Sequence, residues 1–153
     1  MSLVSVIIPY YRKKQDISRT INSAINQTYK NLEIILIYDD NKKNDLKYIK
    51  KICLKDKRIK LFVNKKNLGA GTSRNKGIRY SKGDYIAFLD ADDFWSKNKI
   101  KKQIYFMKKK KVFFTHTNYS IINEKNIILD KKFAKNFLNI NDLIKSCDIG
   151  LST

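Results

Sequence analysis

Four short apolar runs, residues 4–8, 32–38, 59–63 and 84–89, alternate with stretches in which apolar side chains recur at helical spacing. Runs of this length rich in β-branched residues read as buried strands, and apolar residues three or four apart read as one face of a helix. Ile17, Ile21, Ala24 and Ile25 have that spacing behind Asp16, a candidate N-cap, so a first helix is expected from there to about Gln27. The polar stretch 39–45 leads into a second helix carrying Leu46, Ile49, Ile52 and Cys53, and Gly69 opens a third that runs to about Tyr80. Pro9, the only proline, is expected to close the first strand, because it fixes φ and cannot donate a ladder hydrogen bond. After Trp95 the pattern predicts a basic helix to about Lys111, strands over 112–119 and 121–129, and a short helix over 142–147. Strands alternating with helices in this way imply a three-layer α/β/α arrangement on a mostly parallel sheet, and 153 residues suit one domain with its own core.

The fourth apolar run ends abruptly in three carboxylates, Asp90, Asp92 and Asp93. In a chain with 33 Lys and Arg against 14 Asp and Glu, such a cluster is not explained by average composition. It suits a hard divalent cation, Mg²⁺ or Mn²⁺, which takes oxygen ligands and leaves part of its shell to a substrate phosphate. A solvated turn with a helix N-cap is the plainer alternative. Ligands of parallel α/β sheets bind at the carboxyl ends of the strands. Three polar sites converge there: the loop after Pro9, the pair Asp39-Asp40, and residues 90–93.

The net charge of +19 attracts phosphate in any form, but no nucleic-acid module signature is present, so a nucleic-acid partner is not expected. Attraction to an anionic substrate or to an anionic membrane surface uses the charge better. No apolar run has the length of a membrane span, and the start resembles no signal peptide, so a cytoplasmic protein is expected. Cys53 and Cys147 lack metal-ligand or redox spacing and read as free thiols.

Four segments in order, Val4-Ser-Val-Ile-Ile-Pro-Tyr-Tyr11, Gln27-Thr-Tyr-Lys-Asn-Leu-Glu-Ile-Ile35, Asn67-Leu-Gly-Ala-Gly-Thr-Ser-Arg-Asn75 and Leu89-Asp-Ala-Asp-Asp-Phe-Trp95, resemble the motifs of family-2 glycosyltransferases of the GT-A fold. The resemblance is close over residues 4–102 and looser beyond. It implies the nucleotide-diphospho-sugar transferase architecture and an inverting transfer. The sugar would pass from a nucleotide-sugar, usually a UDP-sugar, to a hydroxyl of a glycan or lipid-linked acceptor in surface polysaccharide biosynthesis. The cofactor implied is Mg²⁺ or Mn²⁺, and the place implied is the cytoplasm, at the inner face of the membrane. Within the Asp-x-Asp motif the resemblance makes Asp92 the metal ligand and Asp90 a contact to ribose or to the metal's water shell.

Pro9 and Tyr11 would line the base pocket. The gapless match from Glu33 makes Asp39 the acceptor for the uracil N–H, whereas a one-residue shift selects Asp40. Arg74 and Asn75 would lie beside the nucleotide and its diphosphate, with a structural ion pair from Arg74 to an acidic-loop carboxylate the equal alternative. The Gly69-Ala-Gly sequence is no dinucleotide fingerprint, since Arg74 stands where a third glycine is needed. Trp95 is expected to anchor the acidic loop, and His116, the only histidine, to be structural.

Family members take their general base downstream of the metal motif. Here the resemblance puts it beyond Thr153, so the chain reads as the nucleotide-sugar-binding part of a longer enzyme. Glu124, Asp130, Asp142 and Asp148 are tail acids without motif context. The alternatives are a module that binds nucleotide-sugar without turnover and a basic nucleic-acid-binding domain.

Overall fold

The computed structural model of the protein describes residues 1–123, 125–135 and 152. The expected helix over 142–147 and the acids Glu124, Asp142 and Asp148 lie outside them. In chain order the elements are β1 (Val4–Tyr10), α1 (Ile17–Ile25), β2 (Leu32–Tyr38), α2 (Lys43–Cys53), β3 (Ile59–Val63), α3 (Ala70–Tyr80), β4 (Tyr85–Phe88), α4 (Lys99–Lys110), β5 (Tyr119–Ile122) and β6 (Ile128–Lys132). They form two compact units, residues 1–102 with Ser152, and the described residues from Gln103 onward.

In the first unit the four expected strands make one parallel sheet in the order β3-β2-β1-β4. β1 and β2 are buried along their whole length, which is why they read as continuous apolar runs rather than as alternating ones. Register sorts the side chains onto two faces. Ile7, Ile35 and Ile37 share one face with Phe62 and Phe88, and α3 covers it, with Tyr80 stacked on Phe62 at 4.0 Å between ring centroids. Tyr10 and Tyr38 share the opposite face, stacked at 5.1 Å, and the Tyr10 hydroxyl donates to Asp45 of α2 at 3.2 Å. Helices on both faces give the three-layer α/β/α architecture.

The amino end of the α3 face is closed by a buried polar cluster. Glu33 accepts from the Ser5 hydroxyl, from Lys60 Nζ and from the Lys82 N–H, each at 2.6 Å. Burial alone would raise the Glu33 pKa, but Lys60, Ser5 and the Lys82 N–H outweigh it and hold the carboxyl below its ordinary range.

Three local expectations are corrected. β1 does not stop at Pro9 but runs through it to Tyr10. In a parallel strand the N–H and C=O of one residue point to the same neighbour; the Ile7 C=O accepts from Leu89 on the β4 side, so Pro9 faces that side too, just past the last β4 pairing at Phe88. The missing N–H therefore falls where the paired register with β4 has already ended. Asp16 occupies the N-cap of α1 without a side-chain cap bond, its backbone being already helical at φ −93 and ψ −35.

The third correction concerns the segment after α4. Residues 112–118 are not a strand: alternation supplies a face, but among the described residues no ladder partner, and Lys111 turns the chain at φ 54. The run expected at 121–129 is split instead into the antiparallel pair β5 and β6. The connecting turn is built on Asn123, whose Oδ1 accepts from the Lys125 and Ile127 N–H groups at 3.0 and 2.9 Å. In this second unit His116 is half-buried beside Phe114, with ring centroids 6.3 Å apart.

Candidate active site

The sheet order reverses between β1 and β4: the chain leaves β1 towards β2 and later returns past it to β4. A crevice outside the carboxyl ends of the strands is expected at such a reversal. The turn after β1 and the acidic loop after β4 meet there, Lys13 Nζ standing 2.8 Å from Asp92 Oδ2. Both side chains remain nearly half exposed, at 48% and 43%. The bond to Asp92 raises the Lys13 ammonium above its usual pKa.

The acidic loop is held from several sides. Arg74 Nη2 of α3 donates to Asp90 Oδ1 at 2.5 Å, which is the ion pair the sequence left as one of two readings. The Asp90 N–H donates to Ser152 Oγ at 2.9 Å, and the Ala91 C=O accepts from Thr20 Oγ1 at 2.8 Å. Asp93 closes a turn onto the Asp90 C=O at 3.1 Å. Burial raises the Asp93 pKa, the Ser152 hydroxyl opposes this, and the charges of Asp92 and Asp90 add to the rise.

Trp95 is buried, with Nε1 on the Ser152 C=O at 2.7 Å and its N–H on Ser23 Oγ at 3.1 Å. Lys99 lies over its ring at 4.8 Å, and burial pushes that lysine's pKa down to about 8. Gln27 is buried between α1 and the chain following the loop, donating to the Ser96 C=O at 2.8 Å and accepting from the Ile100 N–H at 3.1 Å. The quoted motif that begins at Gln27 therefore does structural work behind the acidic loop.

At the ends of β2 and β3 the two neighbouring acids have different surroundings. Asp39 Oδ1 accepts from Asn64 Nδ2 and the Leu68 N–H, and Oδ2 from the Gly69 N–H, all at 2.8 Å. The carboxylate thus clamps the loop that enters α3 at Gly69, whose φ of 84 needs glycine, and it sits where a helix N-terminus favours negative charge. Asp40 is equally buried, yet only its Oδ1 is engaged, by the Lys42 N–H at 3.3 Å; among the described residues no donor reaches Oδ2. Burial, with Asp40 and Asp45 nearby, raises the Tyr38 pKa to about 12, so that phenol stays neutral.

The other expected residues fall as follows. Pro9 is buried within β1 opposite Ile37. Tyr11 follows at 43% exposure, with the Arg12 guanidinium 4.8 Å from its ring centroid. Asn75 is exposed on α3 beside Arg74. Arg74 Nε is buried with no acceptor among the described residues. Sequence reasoning missed Lys13, which no motif marks, and Asn64, whose one signal is a polar residue closing an apolar strand.

The donor chemistry fits a hard divalent ion in part. Asp92 and Asp90 offer carboxylate oxygens beside the sheet reversal, while no cluster of three ligating side chains occurs among the described residues. That is the set expected of an ion that keeps waters and completes its shell on a diphosphate, rather than of an all-protein cage.

Residues 5–148 match the family described as Glycosyl transferase family 2. Over 154 aligned positions the chain is 43% identical to the UDP-Glc:alpha-D-GlcNAc-diphosphoundecaprenol beta-1,3-glucosyltransferase WfaP of Escherichia coli, covering 100% of this chain and 60% of WfaP. The chain thus spans about three fifths of that relative. Among solved structures it is similar to S. aureus TarS 1-349 in complex with UDP, with TM-score 0.63 and 24% identity over 70% of this chain and 32% of that one. It is also similar to the mannosyltransferase PcManGT from Pyrobaculum calidifontis in complex with GDP-Man and Mn²⁺, with TM-score 0.66 and 15% identity over 82% and 37% of the two chains. These likenesses establish the GT-A fold.

Proposed function

Because the chain belongs to glycosyl transferase family 2, we propose that it is the nucleotide-sugar-binding part of an inverting transferase that moves a sugar from a UDP-sugar to a hydroxyl of a glycan or lipid-linked acceptor. The observation that carries this reading is the meeting of Lys13 and Asp92 across the sheet reversal, which brings the β1 turn and the acidic loop together where a nucleotide diphosphate would lie. The lipid-linked acceptor is supported by the name of WfaP, which specifies alpha-D-GlcNAc-diphosphoundecaprenol, and a role in surface polysaccharide synthesis belongs to the same reading.

In this reading Tyr11 stacks on the base, Pro9 shapes the wall beneath it, and the uracil N3–H is accepted at the Asp39-Asp40 pair. Asp39 was the expected acceptor, but its carboxylate already takes three donors, and a carboxylate has about four sites. What favours Asp40 is its unengaged Oδ2, which a small rotation would present. Arg74 and Asn75 line the diphosphate side, the free Arg74 Nε–H offering one more donor to an anion.

Asp92 and Asp90 would hold Mg²⁺ or Mn²⁺, whose charge, when the ion is bound, offsets the negative charge that develops on the leaving diphosphate. None of the described residues is assigned as the general base that deprotonates the acceptor hydroxyl. The excess of lysine supports a peripheral position at an anionic, cytoplasmic membrane face. No helix among the described residues is long and apolar enough to cross a membrane.

Calorimetry of UDP with Mn²⁺ against UDP with EDTA tests the proposal. Metal-dependent binding that is lost in Asp92→Asn is expected; equal affinity in EDTA would overturn it.

A further inference from the structure

We propose that Lys13 is a placeholder cation, standing on Asp92 while the site is empty, giving way to the divalent ion and then binding the diphosphate that arrives with it. The inference rests on the proposed function. Its physical basis is an asymmetry between two ion pairs in one acidic loop. Arg74 and Asp90 are mostly enclosed, with side-chain exposures of 16% and 31%, so their contact is costly to break and belongs to the scaffold. Lys13 and Asp92 are nearly half exposed, and a pair so solvated contributes little, which makes it cheap to exchange.

The backbone of Lys13 is nevertheless fixed. Its C=O accepts from the Asp16 and Ile17 N–H groups at 3.3 and 3.0 Å, anchoring the residue to the start of α1 while its side chain is free to swing. A flexible four-carbon stem ending in a point charge suits such a move better than a rigid fork.

Lys13 therefore supplies the loop with a neutralising charge of its own. An ion arriving alone must expel Lys13 and gains little beyond the carboxylate it frees. When nucleotide follows, the expelled ammonium finds the diphosphate oxygens, whose charge also answers that of the ion. Metal should consequently bind weakly to the nucleotide-free protein, and nucleotide strongly to the metal-loaded one.

The two steps can be measured apart, and Lys13→Gln should move them in opposite directions. Mn²⁺ binding without nucleotide, followed by electron paramagnetic resonance, should tighten by about two- to fivefold, the scale of an exposed ion pair. UDP binding at saturating Mn²⁺, followed by calorimetry, should weaken by about threefold or more. Lys13→Arg, which keeps the charge but on a rigid fork, should fall between wild type and Lys13→Gln in both, and all three proteins should melt alike. If Lys13→Gln changes neither step, the contact is an idle surface pair; if it weakens both, Lys13 merely props the loop. Either result overturns the placeholder role while leaving wild-type metal-dependent UDP binding, and with it the proposed function, intact. Wild-type protein that binds no UDP in the presence of Mn²⁺ would overturn both.

Discussion

Gly77 of α3 rests directly on Ile7 of β1: a Cβ built on the glycine would stand 2.4 Å from Ile7 Cγ2. Ile7 is fully buried and β-branched, so it cannot turn aside, and the missing side chain sets how closely α3 approaches the sheet. Because Arg74 lies one turn earlier on the same helix, this approach also sets where its guanidinium meets Asp90.

Gly77→Ala should therefore destabilise the protein although alanine is the better helix former. Overpacking costs about 1–3 kcal/mol against roughly 1 kcal/mol gained in propensity. Chemical denaturation checks the sign, and Ile7→Val should recover part of the loss in the double mutant.

The Glu33 cluster makes a prediction about acid. A carboxyl whose folded pKa is depressed contributes stability above its unfolded pKa and loses it as pH falls through the folded value. The ordinary value is 4.5 and the shift is downward, so the contribution is complete at neutral pH and disappears below about pH 4.5. Glu33→Gln should lower the melting temperature at pH 7 and leave the protein less sensitive to acid than wild type. Parallel melting curves for the two proteins from pH 7 to pH 3 would contradict this.

Asp39 and Asp40 should separate by stability as well as by affinity. Asp39→Asn disturbs the acceptor for three donors of the α3 entry loop and should lower the melting temperature. Asp40→Asn removes a buried charge with an orphaned oxygen, so it should leave the empty protein as stable or more so. It should weaken uridine nucleotides by about 1–3 kcal/mol and adenine nucleotides hardly at all. Unchanged UDP affinity in Asp40→Asn, with specific loss in a normally melting Asp39→Asn, would return the base contact to Asp39.

Gln27→Ala tests whether the acidic loop depends on the scaffold behind it. The substitution strands the Ser96 C=O and the Ile100 N–H, and buried orphans of this kind cost about 1–3 kcal/mol each. The melting temperature should fall, and Mn²⁺ affinity in the presence of UDP should fall with it, although Gln27 touches neither ligand. A large loss of stability with unaltered Mn²⁺ affinity would show that the loop holds its shape without Gln27.

The layered architecture was legible because β1 and β2 are runs that only burial on both faces explains, with β3 and β4 as shorter apolar runs in the same alternation with helices, and the acidic loop because three carboxylates follow the last of them. What stayed hidden depends on partners distant in sequence. Pro9 continues β1 in register with β2, on the side where the β4 pairing has ended, and nothing local to Pro9 says so. Residues 112–118 alternate as a strand does but have no ladder partner among the described residues. Asp39 and Asp40 are adjacent letters whose surroundings differ because their side chains leave the strand end towards different neighbours, a distinction fixed by Asn64 and the α3 loop. Lys13 was invisible among many solvated lysines until the fold set it against Asp92.

The strand pair that frames the crevice is also the longest in reach, joining Val4 to Tyr85 and Ile7 to Phe88. Parallel pairings across such separations bear a large loop-closure entropy before any contact rewards them. On loop-closure grounds β1 and β2 should associate before β4 docks, and Asp92 has no β1 turn to face until it does, so the site is expected to form late. A nucleotide and ion bound across it would act as a clasp on that final closure. Their effect should then appear as slower unfolding, with the folding rate of the empty chain left as it is.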